Sequence, residues 1–320
     1  MTARRTRHRA CPDCGETRGS DEVASRPAGE TLPMDELRRF WAGLNRTKVF
    51  FTYRRCDGCG LLYCPEYFTP DALAALYANL EPNMDIVPSA MLEQTQRGYY
   101  DAVAAAGPPA GDYLEIGPDV GYMVGEAAAR GDFARYWLFE PNRAVHYRLG
   151  QVVGTKPATI TREMHDLSAV PDGAVGLAVM VHVLDHLIDP LAMVRQIARK
   201  LVPGGVLAVV THNEGSLLRR VLGTRFPPFC LQHPQLFRPA SMRHLLEGAG
   251  LVAVEVTGSA NTFPTDFLIR QSAQAAGLDL SSLPLPAIPV RLRLGNILTL
   301  ARAPGQAAAD TGSRAAVSAS

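Results

Sequence analysis

The sequence lacks any apolar run long enough to cross a membrane, and it lacks an excess of charge of either sign. Its 320 residues include 32 Lys and Arg against 31 Asp and Glu, a formal net charge of +1. A membrane helix needs roughly 18 consecutive apolar residues, and a general nucleic-acid coat needs surplus positive charge. We therefore expect no membrane span, and nucleic acid is disfavoured as a partner.

We also expect no secretory signal. The first ten residues are basic, through Arg4, Arg5, Arg7 and Arg9, but no apolar segment follows them. We therefore expect a cytoplasmic protein and interpret the basic segment as a solvated tail. With 47% hydrophobic and 20% charged residues, the chain is too apolar for a disordered protein. Its length suits one large domain with a small module, or two domains.

Cysteine is scarce, yet four of the six cysteines are paired. Cys11 and Cys14 are separated by two residues, as are Cys56 and Cys59, and a glycine follows each pair. This spacing lets one tight turn present two thiolates, and two such turns supply the tetrahedral sulfur site that zinc prefers. We predict a structural zinc ion on these four residues. With all positions filled, such a zinc would be closed and non-catalytic.

Redox-active or simply buried cysteines are the alternative interpretation of the two pairs. Disulfides are disfavoured in the cytoplasm, which favours metal binding. Cys64 and Cys230 remain outside the pattern, and we predict both as buried small hydrophobic residues.

Changes in residue composition and pattern along the chain predict four segments. These are a zinc-binding module (1–69), a helical connector (70–110), a cofactor-binding domain (111–303) and a disordered tail (304–320). Within the third segment, short apolar runs alternate with helical patterns, which is typical of an α/β fold with a parallel sheet. Strands are predicted at 113–116, 137–140, 177–181, 206–210, 251–256 and 297–301. Helices are predicted at 31–45, 70–79, 89–106, 121–130, 190–201 and 239–249, and from 141 onwards.

A glycine loop joins the first of these strands to its helix, as Glu115-Ile116-Gly117-Pro118-Asp119-Val120-Gly121. Such a position binds nucleotide-like ligands in α/β sheets. Glu140 closes the next strand, 19 positions beyond Gly121, where a carboxylate can accept both ribose hydroxyls. Taken singly, the loop reads as a plain turn and Glu140 as a solvated strand end. Only two glycines are present, so S-adenosylmethionine (SAM), which lacks phosphates, fits better than a dinucleotide.

With these features, the chain resembles the class I SAM-dependent methyltransferases over roughly 111–303. The matching segments are Leu114 to Gly117, Phe139 to Asn142, Asp166-Leu167 before Pro171-Asp172-Gly173, Val181 to Pro190, Leu201 to Leu207, His233 to Phe237 and Ser241 to Gly250. The resemblance implies a Rossmann-like, mostly parallel sheet with an antiparallel final strand. It implies SAM-binding residues at Glu115, Gly117, Pro118, Gly121, Glu140, Pro141, Asp166, Leu167 and His182.

The cysteine pairs ahead of this domain resemble those of bacterial zinc-bearing methyltransferases, which include C-methyltransferases of deoxysugar nucleotide pathways. Asp119 replaces the middle glycine of the SAM loop, as in those enzymes. The chain departs from them in two ways: it ends too early for their usual C-terminal domain, and Gly176 stands where an aspartate is common.

The resemblance also ranks the histidines. His233 matches the histidine of the Glu-His pair in the sugar C-methyltransferases, although Gln232 replaces the glutamate, and we predict His233 as a general base. His212, after the fifth strand, is the second candidate. His182 is expected to pack on SAM, and His186 to cap a helix.

The predicted function is a SAM-dependent methyltransferase acting on a small molecule, such as a sugar nucleotide or a natural-product intermediate. One alternative is an RNA or protein methyltransferase, or an RNA-binding module, in which the cysteine module docks on phosphates. Another is a SAM-binding protein without catalysis. The sequence leaves open the acceptor, the methylated atom and the oligomeric state.

Overall fold

A computed structural model describes residues 5–41, 47–77, 87–275, 278–280 and 282–305. The described strands are β1 (Thr6–His8), β2 (Gly19–Val23), β3 (Tyr53–Cys56), β4 (Leu62–Tyr63), β5 (Glu66–Phe68), β6 (Gly111–Ile116), β7 (Phe133–Phe139), β8 (Ala158–Thr161), β9 (Val175–Val181), β10 (Leu201–His212), β11 (Gln235–Leu236), β12 (Val252–Pro264) and β13 (Pro289–Arg302). The α-helices are α1 (Met34–Phe40), α2 (Pro70–Tyr77), α3 (Ser89–Ala105), α4 (Tyr122–Arg130), α5 (His146–Val153), α6 (Pro190–Lys200), α7 (Leu217–Leu222), α8 (Pro239–Gly248) and α9 (Thr265–Ala275).

Seven strands form one sheet in the order β12-β13-β10-β9-β6-β7-β8. The five strands from β10 to β8 run parallel, and β13 lies antiparallel to both β10 and β12. The predicted Rossmann-like sheet, mostly parallel with an antiparallel final strand, is therefore confirmed. The chain leaves β6 for β7 on one side, while β9 occupies the other side. Ligands bind at such a switch point, outside the carboxyl ends of the strands.

Both faces of this sheet are covered, because successive side chains of a strand point to opposite faces. Tyr113 joins the cluster formed with α3, α4 and α5, whereas Leu114 joins the cluster formed with α6 and α8. The central strand β9 is buried along almost its whole length, as expected for a parallel sheet between two helical layers.

Several predicted boundaries need correction. The strand predicted at 206–210 already begins at Leu201, directly after α6, and Pro203-Gly204-Gly205 form an irregularity within it. Strand β8 was not predicted, since its Ala-Thr-Ile-Thr sequence is only half buried at the edge of the sheet. Strands β12 and β13 are each more than twice as long as predicted. Parts of the helices predicted at 31–45 and 70–79, and of the tail at 304–320, lie outside the described residues.

The N-terminal part of the chain forms a second sheet with the order β11-β4-β3-β2. Its edge strand β11 comes from far along the chain, where Gln235 pairs with Tyr63. The aromatic core of this part includes Phe50 and Tyr67, and Phe229 is buried among them. The segment that carries His233 is therefore packed against the N-terminal part.

The basic N-terminus is not simply a solvated tail, which corrects the prediction for Arg9. Its guanidinium is buried and donates hydrogen bonds to the carbonyl oxygens of Cys64 (2.8 Å) and Ile188 (3.0 Å) and to Oε1 of Gln235 (3.1 Å). Burial lowers the pKa of Arg9. Arg4 lies outside the described residues. Arg9 thus connects the N-terminal sheet to two loops of the larger domain.

A bidentate ion pair makes a second connection. Arg55 of β3 contacts Glu214, which follows β10, with nitrogen–oxygen distances of 2.6 and 3.0 Å. The Glu214 side chain is almost completely buried, and removing one partner of such a pair is strongly destabilising. None of the described helices combines the length and apolar content that a membrane crossing needs.

Candidate functional site

The four paired cysteines converge. The Sγ atoms of Cys11 and Cys59 lie 3.5 Å apart, as do those of Cys14 and Cys56, and all four sulfur atoms lie within 4.8 Å of one another. Sulfur ligands around a tetrahedral zinc ion are about 3.8 Å apart, given Zn–S bonds of about 2.3 Å. The donor set and its spacing therefore fit zinc. Cys64 and Cys230 are buried, as predicted.

The glycine loop after β6 has the conformation that its sequence requires. Gly117 and Gly121 have φ angles of +68° and +89°, which side-chain-bearing residues rarely adopt. A Cβ atom on Gly117 would lie 2.6 Å from Cγ2 of Val183. The backbone N–H of Gly121 donates to the carbonyl of Pro118 and closes the turn (2.9 Å). The loop therefore makes a tight turn at the carboxyl end of β6, which requires glycine at both positions.

Glu140 lies at the end of β7 and joins that strand to the loop. Its carboxylate accepts hydrogen bonds from the backbone N–H groups of Asp119 (2.9 Å) and Asn142 (2.8 Å), and burial raises its pKa. A carboxylate oxygen can accept more than one hydrogen bond, so Glu140 retains capacity for the hydroxyls of a ligand. Pro141, the next residue, is exposed.

The other predicted cofactor residues lie in two different environments. Asp166 is exposed and accepts from the backbone N–H (2.8 Å) and the hydroxyl (2.9 Å) of Ser168, forming a turn after β8. Leu167 is fully buried, with its N–H directed at Oε1 of Gln196 (3.2 Å). Both residues lie in the connection between β8 and β9, next to the strand that carries Glu140.

Glu115 lies below the loop rather than at its surface. Its side chain is buried, accepts a hydrogen bond from the Tyr113 hydroxyl (2.7 Å) and a second one from the backbone of Val124 in α4. Burial raises the pKa of Glu115 to about 8. The side chain is therefore held against the start of the helix that follows the loop.

Four histidines converge at the carboxyl ends of β9 and β10. Ring centroids are 4.6 Å apart for His182 and His212, 5.3 Å for His212 and His233, and 4.5 Å for His233 and His186. His182 has a φ of +53°, a costly conformation for a residue with a side chain and one that clusters at functional sites. The structure thus brings together the two predicted base candidates and the predicted SAM contact.

Hydrogen bonds arrange part of this cluster as a chain. His233 Nδ1 donates to the carbonyl of Pro228 (2.7 Å), and His233 Nε2 lies 3.2 Å from Nε2 of His186. The other nitrogen of His186 lies 3.3 Å from the Tyr77 hydroxyl. The Cys230 thiol lies 3.4 Å from His233 Nδ1. His186, expected to cap a helix, is therefore part of this chain.

The environment separates the pKa values of these imidazoles. Burial lowers the pKa of His186 and that of His212 to about 3. Burial also opposes the charge on His233, but the Cys230 thiolate and the Asp185 carboxylate raise its pKa to about 9. At neutral pH, His233 carries a proton that His186 and His212 do not.

Four residues of this site were not predicted from the sequence. Asp185 is fully buried among the histidines, and Asn296 of β13 accepts a hydrogen bond from Nδ1 of His212 (3.0 Å). Tyr77 contacts His186, and Cys230 contacts His233. Asp185 could have been recognised between His182 and His186, and Cys230 three residues before His233, but Tyr77 and Asn296 come from distant segments without a local motif.

We expect Glu115→Gln to change how stability depends on pH. The folded-state pKa of about 8 lies above the ordinary value, so the folded protein holds a proton that the unfolded chain releases, and stability falls as pH rises from about 5 to about 8. The variant keeps an acceptor for Tyr113 but does not titrate. Its stability relative to the parent should therefore rise over this window, by at most about 1.4 kcal/mol per pH unit.

Urea unfolding at several pH values between these limits measures the difference, with the exposed Glu247→Gln as a matched control. A stability difference that stays constant with pH would show that Glu115 does not titrate in this way.

Comparisons with known proteins show which proteins the chain is similar to. Residues 91–256, just over half of the chain, match the methyltransferase domain family. The ubiquinone biosynthesis O-methyltransferase of Thiobacillus denitrificans is 26% identical over 132 residues, covering 39% of this chain and 52% of that protein. The enzyme of the same name from Vibrio parahaemolyticus is 26% identical over 112 residues, covering 33% of this chain and 48% of that protein. The chain thus spans about half the length of these relatives.

A solved complex between the Haloferax volcanii Trm112 methyltransferase activator and a methyltransferase shares the fold. The match has a TM-score of 0.51 and 17% identity, and covers 67% of this chain and 92% of that one. Identity at this level shows the fold alone. The match of the family over 91–256, together with the loop and sheet described above, shows that the chain belongs to the methyltransferase domain family.

Proposed function

We propose that this protein is a SAM-dependent methyltransferase that acts on a small molecule. One observation carries the proposal: the glycine loop and Glu140 lie at the carboxyl ends of β6 and β7, and a histidine cluster lies at the ends of β9 and β10 in the same sheet. A nucleoside site and groups that handle protons therefore open on the same side of the sheet. The family match supports SAM as the cofactor.

The residues around the loop fit SAM. Gly117, Pro118 and Gly121 would admit the amino-acid part of the cofactor, and Glu140 would accept the ribose hydroxyls. Asp166 and Leu167 would face the adenine, while Pro141 would border the ribose and His182 would pack near the sulfonium. Glu115 would act from beneath the glycine loop, where its hydrogen bond with the backbone of Val124 holds α4 in place. When bound, SAM supplies an activated methyl group.

Glu140→Gln should weaken SAM binding. The substitution keeps the shape of the side chain but removes the charge that strengthens hydrogen bonds from hydroxyl donors. We expect a loss of about 2 kcal/mol, or roughly 30-fold in affinity. Isothermal titration calorimetry measures it, with Glu247→Gln as the control on an exposed helix position. An affinity equal to that of the control would contradict the ribose role of Glu140.

His233 is proposed as the group that takes a proton from the acceptor. Pro228 holds its Nδ1–H, so Nε2 is the nitrogen available for exchange, through His186 or directly with a bound acceptor. Because its pKa is raised to about 9, only the minor neutral form accepts a proton at neutral pH. His212, already neutral there, is the second candidate, although its low pKa makes it a weaker base.

His233→Ala should lower the turnover of methyl transfer by about 100- to 10,000-fold and leave SAM binding intact. In the parent enzyme, the logarithm of kcat should rise with pH up to about 9, because the neutral form of His233 increases, and the variant should lack this rise. Transfer of labelled methyl groups from SAM to a panel of sugar nucleotides and phenols measures both quantities.

His212→Ala is the comparison variant in this assay. Full turnover in His233→Ala, together with a large loss of turnover in His212→Ala, would assign the base to His212 instead.

The four-cysteine cluster is proposed to bind one structural zinc ion. Elemental analysis of freshly purified protein should find about one zinc per chain. Chelation should unfold the N-terminal part first, because the binding energy of a structural metal is folding energy; limited proteolysis would locate the cleavage. Protein without metal, or cleavage that begins elsewhere, would contradict the assignment.

The acceptor class rests on two resemblances. The cysteine module resembles that of sugar-nucleotide C-methyltransferases, and the named relatives are O-methyltransferases of ubiquinone biosynthesis. Both point to a small molecule. The described part of the N-terminal module offers little support for RNA docking, because the Arg9 guanidinium donates to carbonyl oxygens and both Arg54 and Arg55 are paired with carboxylates.

A further inference from the structure

A second group of side chains that can bind a metal, separate from the cysteines, consists of His182, Asp185 and His212. His182 directly follows β9, Asp185 lies in the short 3₁₀ turn after it, and His212 is the last residue of β10. One ligand atom from each of the three lies within 4.8 Å of the other two. Two neighbouring parallel strands and a short turn therefore place two imidazoles and one carboxylate around one point.

The measured spacing suits a metal ion. His212 Nε2 and Asp185 Oδ2 lie 4.0 Å apart, which is too far for a hydrogen bond. With bonds of about 2.1 Å, two ligand atoms are about 3.0 Å apart in adjacent octahedral positions and about 4.2 Å apart in opposite ones. The observed separation is close to that of two opposite positions, so an ion between these atoms would need only small side-chain shifts.

The hydrogen bond of His212 leaves a lone pair directed at the carboxylate. His212 Nδ1 donates to Oδ1 of Asn296 (3.0 Å), and in a neutral imidazole the other nitrogen is then unprotonated. His212 Nε2 and Asp185 Oδ2 thus face each other as two acceptors, an arrangement that a cation between them would stabilise. A side-chain oxygen that holds the remote nitrogen is also the usual support of a metal-binding histidine.

Two unpartnered polar atoms give an independent indication. The Asp185 side chain is completely buried, and within the described residues its Oδ1 has no hydrogen-bond partner. His182 Nδ1 is likewise buried without one. Asp185 forms no salt bridge with an arginine or lysine in the described ranges. The charge of Asp185 faces the imidazole of His233, but a buried oxygen without a hydrogen-bond donor is still costly, and coordination to an ion would satisfy Oδ1.

We propose that His182, Asp185 and His212 bind one divalent first-row transition-metal ion. Two imidazoles and one carboxylate form a ligand set with open coordination positions, unlike the closed set of four cysteines. The His212 side chain is 25% exposed, so water or an oxygen atom of a ligand can reach the ion. Where the proposed methyltransferase function holds, which this step rests on, the open positions favour acceptors with a hydroxyl or enol oxygen.

Cobalt titration of full-length protein that carries one zinc ion per chain, on the cysteines, tests the site without requiring methyl transfer. Co²⁺ bound to nitrogen and oxygen gives visible ligand-field bands but lacks the thiolate-to-cobalt charge-transfer band of a cysteine site. We expect one such Co²⁺ per chain. His182→Ala, His212→Ala and Asp185→Asn should each weaken it by more than the 10- to 100-fold that loss of a supporting contact costs.

Two controls match these variants. His186→Ala removes a neighbouring imidazole of the same cluster, and His244→Ala removes the histidine that contacts Asp13 beside the cysteine cluster. Both should keep the Co²⁺ spectrum and affinity of the parent. Thermal unfolding shows whether each variant is folded. If Asp185→Asn does not fold, His182→Ala and His212→Ala are sufficient to test the ligand set.

Three results would overturn the proposal: no Co²⁺ beyond the cysteine site, a charge-transfer band that assigns the added Co²⁺ to thiolates, or an affinity that all three ligand variants leave unchanged. Failure of methyl transfer alone would instead concern the proposed function, because the cobalt spectrum is independent of SAM and of the acceptor.

Discussion

The arrangement of the site depends on a single buried carboxylate, that of Asp185. It is excluded from solvent near the carboxyl ends of β9 and β10. Burial there would raise its pKa, yet the surrounding imidazoles keep that pKa well below its ordinary value. The turn that carries it is fixed from outside the sheet, because the amide of Gln235 donates to the carbonyls of Leu184 (3.1 Å) and Leu187 (2.7 Å). The position of the charge is thus set by backbone contacts as much as by the histidines.

Those contacts make the N-terminal part of the chain a structural support of the site. Gln235 belongs to β11, which completes the N-terminal sheet, and Arg9 of the N-terminal part contacts both Gln235 and the carbonyl of Ile188. The Tyr53 hydroxyl donates to the carbonyl of His233 (2.6 Å). Hydrogen bonds from the N-terminal part therefore hold both the turn that carries Asp185 and the segment that carries His233. A module that only docks on a remote partner would not require this coupling.

Local patterns in the sequence predicted the larger domain well, because its strands and helices are short apolar segments with glycine or proline at their ends. The Gly117–Gly121 loop and Glu140 were recognisable for the same reason. Three features depend on contacts between distant segments and had no local pattern: the pairing of β11 with β4, the burial of Arg9 among carbonyl oxygens, and the approach of Tyr77 to His186. Strand β8 was missed because an edge strand needs few apolar side chains.

The four histidines show how one side-chain type takes separate tasks through its neighbours. His233 faces the Cys230 thiolate and so retains a proton, which suits exchange of protons with an acceptor. His212 faces Asn296 and so keeps a free lone pair, which suits a cation. If both had the same surroundings, protonation of one would repel protonation of the other at 5.3 Å. Because the thiol and the amide differ, proton transfer and cation binding can coexist in one cluster without competing for the same nitrogen.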